Sequence, residues 1–271
     1  MNNSIISASV SMGALQKRLD ILADNIANVD TVGYKRKSAV FEDIMTSLQS
    51  QQEDFRLDGR RSPLGYTHGW GSRIASIQLD MTQGSLKDTG NPTDVAIEGN
   101  ALFEVRTTDG ASAYTRHGAF QLIAQPDGDR VLLTDTGLPV LNSNGAEIRV
   151  PNGYELKIEE NGTLTANGPQ GSQPIDLGKL SLVQVTKPEF LVSVGDNLYG
   201  VPADVNVDDV LQNLIELPQG VAVRQGFAEQ SNVSWGDEMS DLLLVQRAYQ
   251  LSARALSSSE QMMGMANNLR A

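Results

Sequence analysis

Apolar residues follow two different periods along the chain. Taken at alternating steps of three and four, Ile5, Ala8, Met12, Leu15, Leu19, Leu22, Ile26 and Val29 fall on one line, while Gln16, Lys17, Arg18, Asp20 and Asp24 lie off it. That spacing keeps a narrow stripe turned towards a partner helix, so it predicts an amphipathic helix of the coiled-coil kind. The C-terminal stretch repeats the pattern. Leu244, Ala248, Leu251, Ala255, Met262, Met265 and Leu269 form a second seam, interrupted only at Ser258. Ser234 followed by Asp237 has the spacing of a capping box and marks the start of a helix running to about Leu269, roughly 50 Å long at 1.5 Å per residue. A thin apolar stripe gains little on its own. Each terminus is therefore expected to pack on the other or on a neighbouring subunit.

The middle of the chain reads as strands. Six turn dipeptides punctuate it: Asp109-Gly110, Asp127-Gly128, Asn144-Gly145, Asn152-Gly153, Asn161-Gly162 and Asn167-Gly168. Each is expected to supply the positive dihedrals of a two-residue hairpin. Between and around them lie short apolar or alternating runs such as 102–105, 131–133, 154–158, 180–186 and 190–194, the texture of an antiparallel β-domain. From Leu48 to Gly71 the sequence is polar, rich in Gln, Gly and Arg, and reads as a long loop or linker. The predicted fold class is α+β, with long N- and C-terminal helices paired as a coiled-coil-like domain and a central antiparallel β-domain. The expected boundaries are 1–35 with 228–271 for the helical domain, 36–75 for the linker and extended segment, and 76–227 for the β-domain.

Charge narrows the function. Lys and Arg total 21 against 33 Asp and Glu, a formal net charge of −12 over 271 residues. Nucleic-acid binding needs clustered positive charge, so that class is disfavoured, as is docking on anionic lipid. No apolar run approaches the roughly 20 residues that cross a bilayer, so no direct membrane insertion is expected. The opening Met1-Asn2-Asn3-Ser4 lacks the basic start of a cleavable signal. Cysteine is absent, which removes disulfides, thiolate metal sites and a cysteine nucleophile.

Candidate chemistry is sparse. The two histidines, His68 and His117, have no ligand-type neighbour at helical spacing and read as exposed or packing residues. The acidic cluster Asp204, Asn206, Asp208 and Asp209 lacks the glycine and the bidentate glutamate of a calcium loop, and reads as a solvated loop. No nucleophile elbow, phosphate loop or dinucleotide fingerprint occurs. No enzyme activity and no cofactor are expected.

One segment is specific. The run from Asp20 to Arg36, with Asn25, Ala27, Asn28, Thr31, Gly33, Tyr34 and Lys35, closely resembles the signature of the bacterial flagellar rod and hook protein family, a helix ending in Asn-x-x-Asn-x-x-Thr-x-Gly-aromatic-Lys. Asn25 and Asn28 suit a helix end, Gly33 permits the reversal and Tyr34 anchors the exit. Val32 and Asp30 replace the family's usual Pro and Asn. A second block, with Gln83, Gly84, Thr89, Gly90, Asn91, Gly99 and Asn100, is similar to the family's entry into its β-domain, and Tyr114-Thr115-Arg116 with Gly118 and Phe120 continues it. Gln225-Gly226 through Glu229, then Ser231-Asn232-Val233 and Gln246-Arg247-Ala248-Tyr249, resemble its C-terminal block.

The resemblance implies a structural axial protein of the flagellar basal body, leaving the cytoplasm through the flagellar type III export apparatus without a cleaved signal peptide. Its implied partners are further copies of itself in a helical assembly around the export channel, together with other rod and hook proteins. The polar segment from Leu48 to Gly71 sits where distal-rod members carry an insertion, so distal rod is the first expectation and hook or proximal-rod homologue the second. A secreted β-domain adhesin with a helical stalk is the reading from another class, and the Asn-rich turn after the first helix speaks against it.

Overall fold

The computed structural model describes residues 2–43, 47–50, 65–68, 71–169, 173–202, 204–214, 218 and 220–268. They fall into two compact units, one formed by Met1–Ile26, Lys37–Gln78 and Trp235–Ala271, the other by Ala27–Arg36 and Leu79–Ser234. Relative to the expected boundaries, 37–78 falls with the helices and 27–36 with the sheets.

The first unit contains the helices Asn2–Ala27 and Trp235–Asn268. Ser234 stands immediately before the second helix, where the capping spacing put it. The N-terminal helix buries Ala14, Ile21, Leu22 and Asn25. The other expected seam positions, Ile5, Ala8, Met12, Leu15, Leu19 and Ile26, are half-buried. Arg18 lies 3.8 Å from Asp241 of the C-terminal helix, and its guanidinium sits 5.6 Å from the Phe41 ring centroid. Two antiparallel ribbons complete the unit: Lys37–Asp43 beside Ser72–Leu79, and Ser47–Ser50 beside Gly65–His68. The second ribbon lies in the stretch read as a loop. Ser-Leu-Gln-Ser carries no apolar alternation, so the strand signal was missing. Residues 51–64, the middle of that stretch, lie outside the described residues, as does Leu269.

The second unit is built on a six-stranded antiparallel sheet. In spatial order its strands are Val192–Gly195, Leu198–Gly200, Ser112–Thr115, Ala101–Arg106, Leu182–Val185 and Leu211–Asn213. Its central strand is buried on both faces, so side chains alternate between two cores. Ala101, Phe103 and Val105 enter a large cluster with Leu132, Ile148, Leu156 and Leu164, whereas Leu102 enters a smaller one with Val183, Tyr199 and Leu211. Phe103 meets Phe120 edge-on at 5.1 Å, the arrangement aromatic quadrupoles favour. Two three-stranded sheets supply further residues of the larger core, one of 121–124, 130–133 and 149–150, the other of 155–158, 163–167 and 175–179.

The turns correct the expected hairpin type. In the loops at Asp109-Gly110, Asp127-Gly128, Asn144-Gly145 and Asn161-Gly162 only the glycine has positive φ. Each is a three-residue loop: Asn142 N–H donates to Ala146 O at 2.9 Å and Gly145 N–H to Asn142 O at 2.8 Å, and Glu159 with Thr163 repeats the scheme. Such loops need one left-handed residue at their end, whereas a type I′ turn needs two. The pair with two is Asp196-Asn197, at φ 46° and 57°, joining Val192–Gly195 to Leu198–Gly200. Asn167 instead continues the strand Thr163–Asn167, and Gly168 is not left-handed.

Candidate functional site

Two sets of residues stand out, one in each unit. In the sheet unit the signature residues gather around a buried carboxylate. Glu229 accepts from Lys35 Nζ at 2.8 Å and from Arg116 Nε at 2.5 Å, with all three side chains at most 2 % exposed. The carboxylate also accepts the Gly84 N–H at 2.9 Å. Lys35 donates further to Thr82 O at 2.7 Å, and Arg116 to Ile97 O at 2.7 Å and to Ala101 O. Three buried charges, two positive and one negative, are thus surrounded by carbonyls that satisfy the remaining donors, which is the condition for holding ions away from water. Burial pushes the Lys35 pKa below its ordinary value of 10.5, and the Arg116 charge adds to this while the Glu229 bond and charge oppose it.

The surrounding signature residues have backbone roles. Gly33 has φ +69°, and a Cβ there would lie 2.6 Å from the Arg116 carbonyl; its N–H donates to Glu229 O at 2.8 Å. At Gly84 a Cβ would fall 1.9 Å from Gln230 O. Gly99, at φ +94°, lies against Gly220 O. Gln83 bridges Ile97 O and Gly99 N–H. Asn232 accepts the Arg36 N–H at 2.7 Å and donates to Asp80 O at 2.8 Å. Asn28 and Thr31 bond each other through Oδ1 and Oγ1 at 3.1 Å, and Tyr34 is buried. Thr89, Gly90 and Asn91 form a turn beside Gly226 and Asp94, and Asn100 donates to Val185 O at 2.9 Å. Ser231 Oγ accepts the Val233 N–H at 3.3 Å. The sequence places Arg116 and Glu229 within matched blocks but gives neither a role. Nothing in one dimension pairs them.

In the helical unit Asn25 is fully buried. Its amide donates to Lys37 O at 2.9 Å and to Glu238 Oε2 at 3.1 Å, and its Oδ1 accepts the Lys37 N–H at 3.0 Å. Ala27 closes the N-terminal helix. The C-terminal helix carries two registers. Glu238, Val245 and Ser259 are buried, with Leu242, Tyr249, Ser252, Leu256 and Met263 half-covered at the intervening steps of three and four. The seam read from the sequence lies on a different line. Leu244 is 61 % exposed, Leu251 63 %, and Met262, Met265 and Ala255 are exposed too, with Ala248 half-buried. The face turned inward is a different one, through Val245. Gln246 and Arg247 are exposed. His117 is largely buried, 3.8 Å from Asp135, and the His68 side chain lies outside the described residues.

The three ions of the node come from three separately recognisable segments. A family profile described as flagella basal body rod protein matches residues 8–35, ending on Lys35. One for the flagellar hook protein FlgE/F/G D1 domain matches 96–166, containing Arg116, and one for the C-terminal part of flagellar basal body rod FlgEFG proteins matches 224–269, containing Glu229. Whole-length relatives agree. The flagellar basal-body rod protein FlgG of Borreliella burgdorferi is 33 % identical over 276 aligned residues, covering 100 % of this chain and 99 % of the relative. FlgG of Buchnera aphidicola subsp. Baizongia pistaciae is 32 % identical over 94 % of this chain and 95 % of its own, and the flagellar hook-basal body complex protein FlhP of Bacillus subtilis is 30 % identical over all of both. With similarity running end to end and each matched segment supplying one charge to a single buried node, the chain belongs to the flagellar basal-body rod protein family.

Proposed function

We propose that this protein is a structural subunit of the flagellar rod, in its distal part, that polymerises through its terminal helices and carries out no catalysis. The observation that carries this reading is the second register of the C-terminal helix. Leu244, Leu251, Met262 and Met265 form a long apolar stripe left open to solvent while a different stripe is buried. A monomer gains nothing from such a stripe, whereas helix–helix packing against neighbouring copies buries it along its length. Partner rod and hook proteins of the same architecture, and passage through the flagellar type III export apparatus, belong to the same reading, as does a coiled-coil-like pairing of the two terminal helices in the assembled state. Arg18–Asp241 and Asn25–Glu238 support that pairing at one end.

The test is Leu251→Asp in the full-length chain expressed in its own cells. The monomer should fold normally, because the side chain is already exposed, yet fail to enter basal bodies. Normal incorporation and swimming would rule out the stripe as the polymerising surface.

A further inference from the structure

The four Asn-Gly dipeptides of the sheet unit have the same chemistry and different geometry. At such a pair the glycine backbone nitrogen can attack the asparagine side-chain carbonyl carbon. A C–N bond forms, the C–NH2 bond breaks, and ammonia leaves a five-membered succinimide. Solvent water then opens the ring at either carbonyl, giving aspartate or the backbone-lengthened isoaspartate. This reaction is one reason asparagine counts among the thermolabile residues. It needs a glycine nitrogen free to approach and a side chain free to turn.

Three of the sites withhold one or both. Gly145 N–H is bonded to Asn142 O at 2.8 Å and Gly162 N–H to Glu159 O at 2.9 Å, as the three-residue loops require. Asn161 is held further, its Oδ1 accepting the Thr163 N–H at 2.9 Å. Asn167 is fixed in a strand, paired with Glu155. The fourth differs because its turn is of another kind. Tyr154 N–H donates to Pro151 O at 3.2 Å, and Gly153 has φ +85°. Asn152-Gly153 therefore occupies the two central positions of a four-residue turn of type II, whose only internal bond spans the outer residues. Among the described residues neither the Asn152 side chain nor the Gly153 nitrogen has a hydrogen-bond partner, and both residues are exposed.

We propose that Asn152 is the modification site of this chain, deamidating ahead of every other asparagine in the sheet unit. The location gives the change a consequence. Asn152 lines a groove of about 670 Å³ together with Gln121, Tyr154 and Arg130, the one cation among its lining residues. Arg130 donates to Tyr154 O and keeps a buried Nε without a partner. Deamidation puts a carboxylate on the rim of this groove, and the isoaspartate form adds a backbone atom to the turn that positions Tyr154 O.

The experiment ages purified full-length protein at mildly alkaline pH and follows each Asn-Gly peptide by mass spectrometry, with a parallel sample in urea. In the folded sample the acid and isoaspartate forms should accumulate at Asn152 several-fold faster than at Asn144, Asn161 or Asn167, and in urea the four rates should converge. An Asn152→Gln variant, whose ring closure would need a six-membered intermediate, should lack the first acidic species on isoelectric focusing. Equal rates at Asn144 or Asn161 in the folded protein, or the same order persisting in urea, would overturn the assignment.

Discussion

Lys35 and Glu229 are 194 positions apart in the sequence and 2.8 Å apart in the fold, where their opposite charges meet with neither more than 2 % exposed. Arg116 shares the same carboxylate. Because two cations share one anion, the three members of the node are not interchangeable. Replacing Glu229 by Gln keeps the shape but leaves two buried cations facing each other, and breaking a buried pair in this way costs about 3–5 kcal/mol. Lys35→Met leaves Arg116 and Glu229 as a matched pair and should cost clearly less. Urea unfolding followed by circular dichroism measures both. A Glu229→Gln variant as stable as the parent, or one less affected than Lys35→Met, contradicts this ranking.

Glycine replacements separate steric from conformational demands. Gly84 has no left-handed backbone, yet a Cβ there would fall 1.9 Å from Gln230 O. Gly84→Ala should destabilise the sheet unit by about 2–3 kcal/mol or more, the range for overpacking a site that cannot yield. Gly13 lies in the N-terminal helix with nothing within 4 Å of its would-be Cβ. There the same substitution should stabilise by about 0.5–1 kcal/mol through helix propensity alone. Thermal melts of the two variants should move in opposite directions.

The two registers of the C-terminal helix give a paired comparison. Val245 is 3 % exposed and Leu251 63 %. Val245→Asp removes buried apolar area worth about 1.5–3 kcal/mol and strands a charge, so the monomer itself should be destabilised. Leu251→Asp should leave the monomer melt unchanged and abolish assembly. Loss of monomer stability in both, or in neither, would show that the helix faces have been misassigned.

Alkaline stability follows from two tyrosines. Burial raises the pKa of Tyr199 and of Tyr114 from 10.0 to about 12, with nearby Glu104 and Asp208 adding to the shift at Tyr114 and a bond to the Lys35 backbone opposing it at Tyr199. Between these values the unfolded chain has released both phenol protons and the fold retains them. Their contribution is therefore complete below pH 10 and is lost as pH rises towards 12. Tyrosinate absorbance should show part of the six-tyrosine signal delayed until unfolding, and Tyr199→Phe should reduce the alkaline fall in stability. A single titration near 10 in the folded protein would count against these shifts.

What could be read in advance depended on whether the determining interaction was local. Both helices were legible because Ile5, Met12, Leu19 and Ile26, and likewise Leu244, Leu251 and Met265, recur at helical spacing, and Ser234 marks a start. The turns were legible as positions and misread as types. Asn144-Gly145 announces a reversal, but the loop length depends on how Asn142 and Ala146 pair across the sheet. The inward face of the C-terminal helix was missed because it is the less apolar one. Glu238, Ser252 and Ser259 lie along it, while the stripe with the greater run of Leu and Met is solvent-facing. The node was out of reach, since nothing near Arg116 in the chain specifies Glu229 as its partner.

The same wiring bears on the order in which the chain can become a solid object. Residues 27–36 emerge early from any machinery that passes the chain N-terminus first, and Arg116 follows, but the carboxylate that neutralises them arrives only at position 229. Until then the two cations cannot be withdrawn from water at tolerable cost, and closing so long a loop is slow in any case. In such an N-terminus-first passage the node would close only once the segment bearing Glu229 is released, just ahead of the helix whose exposed stripe is proposed to receive the next subunit.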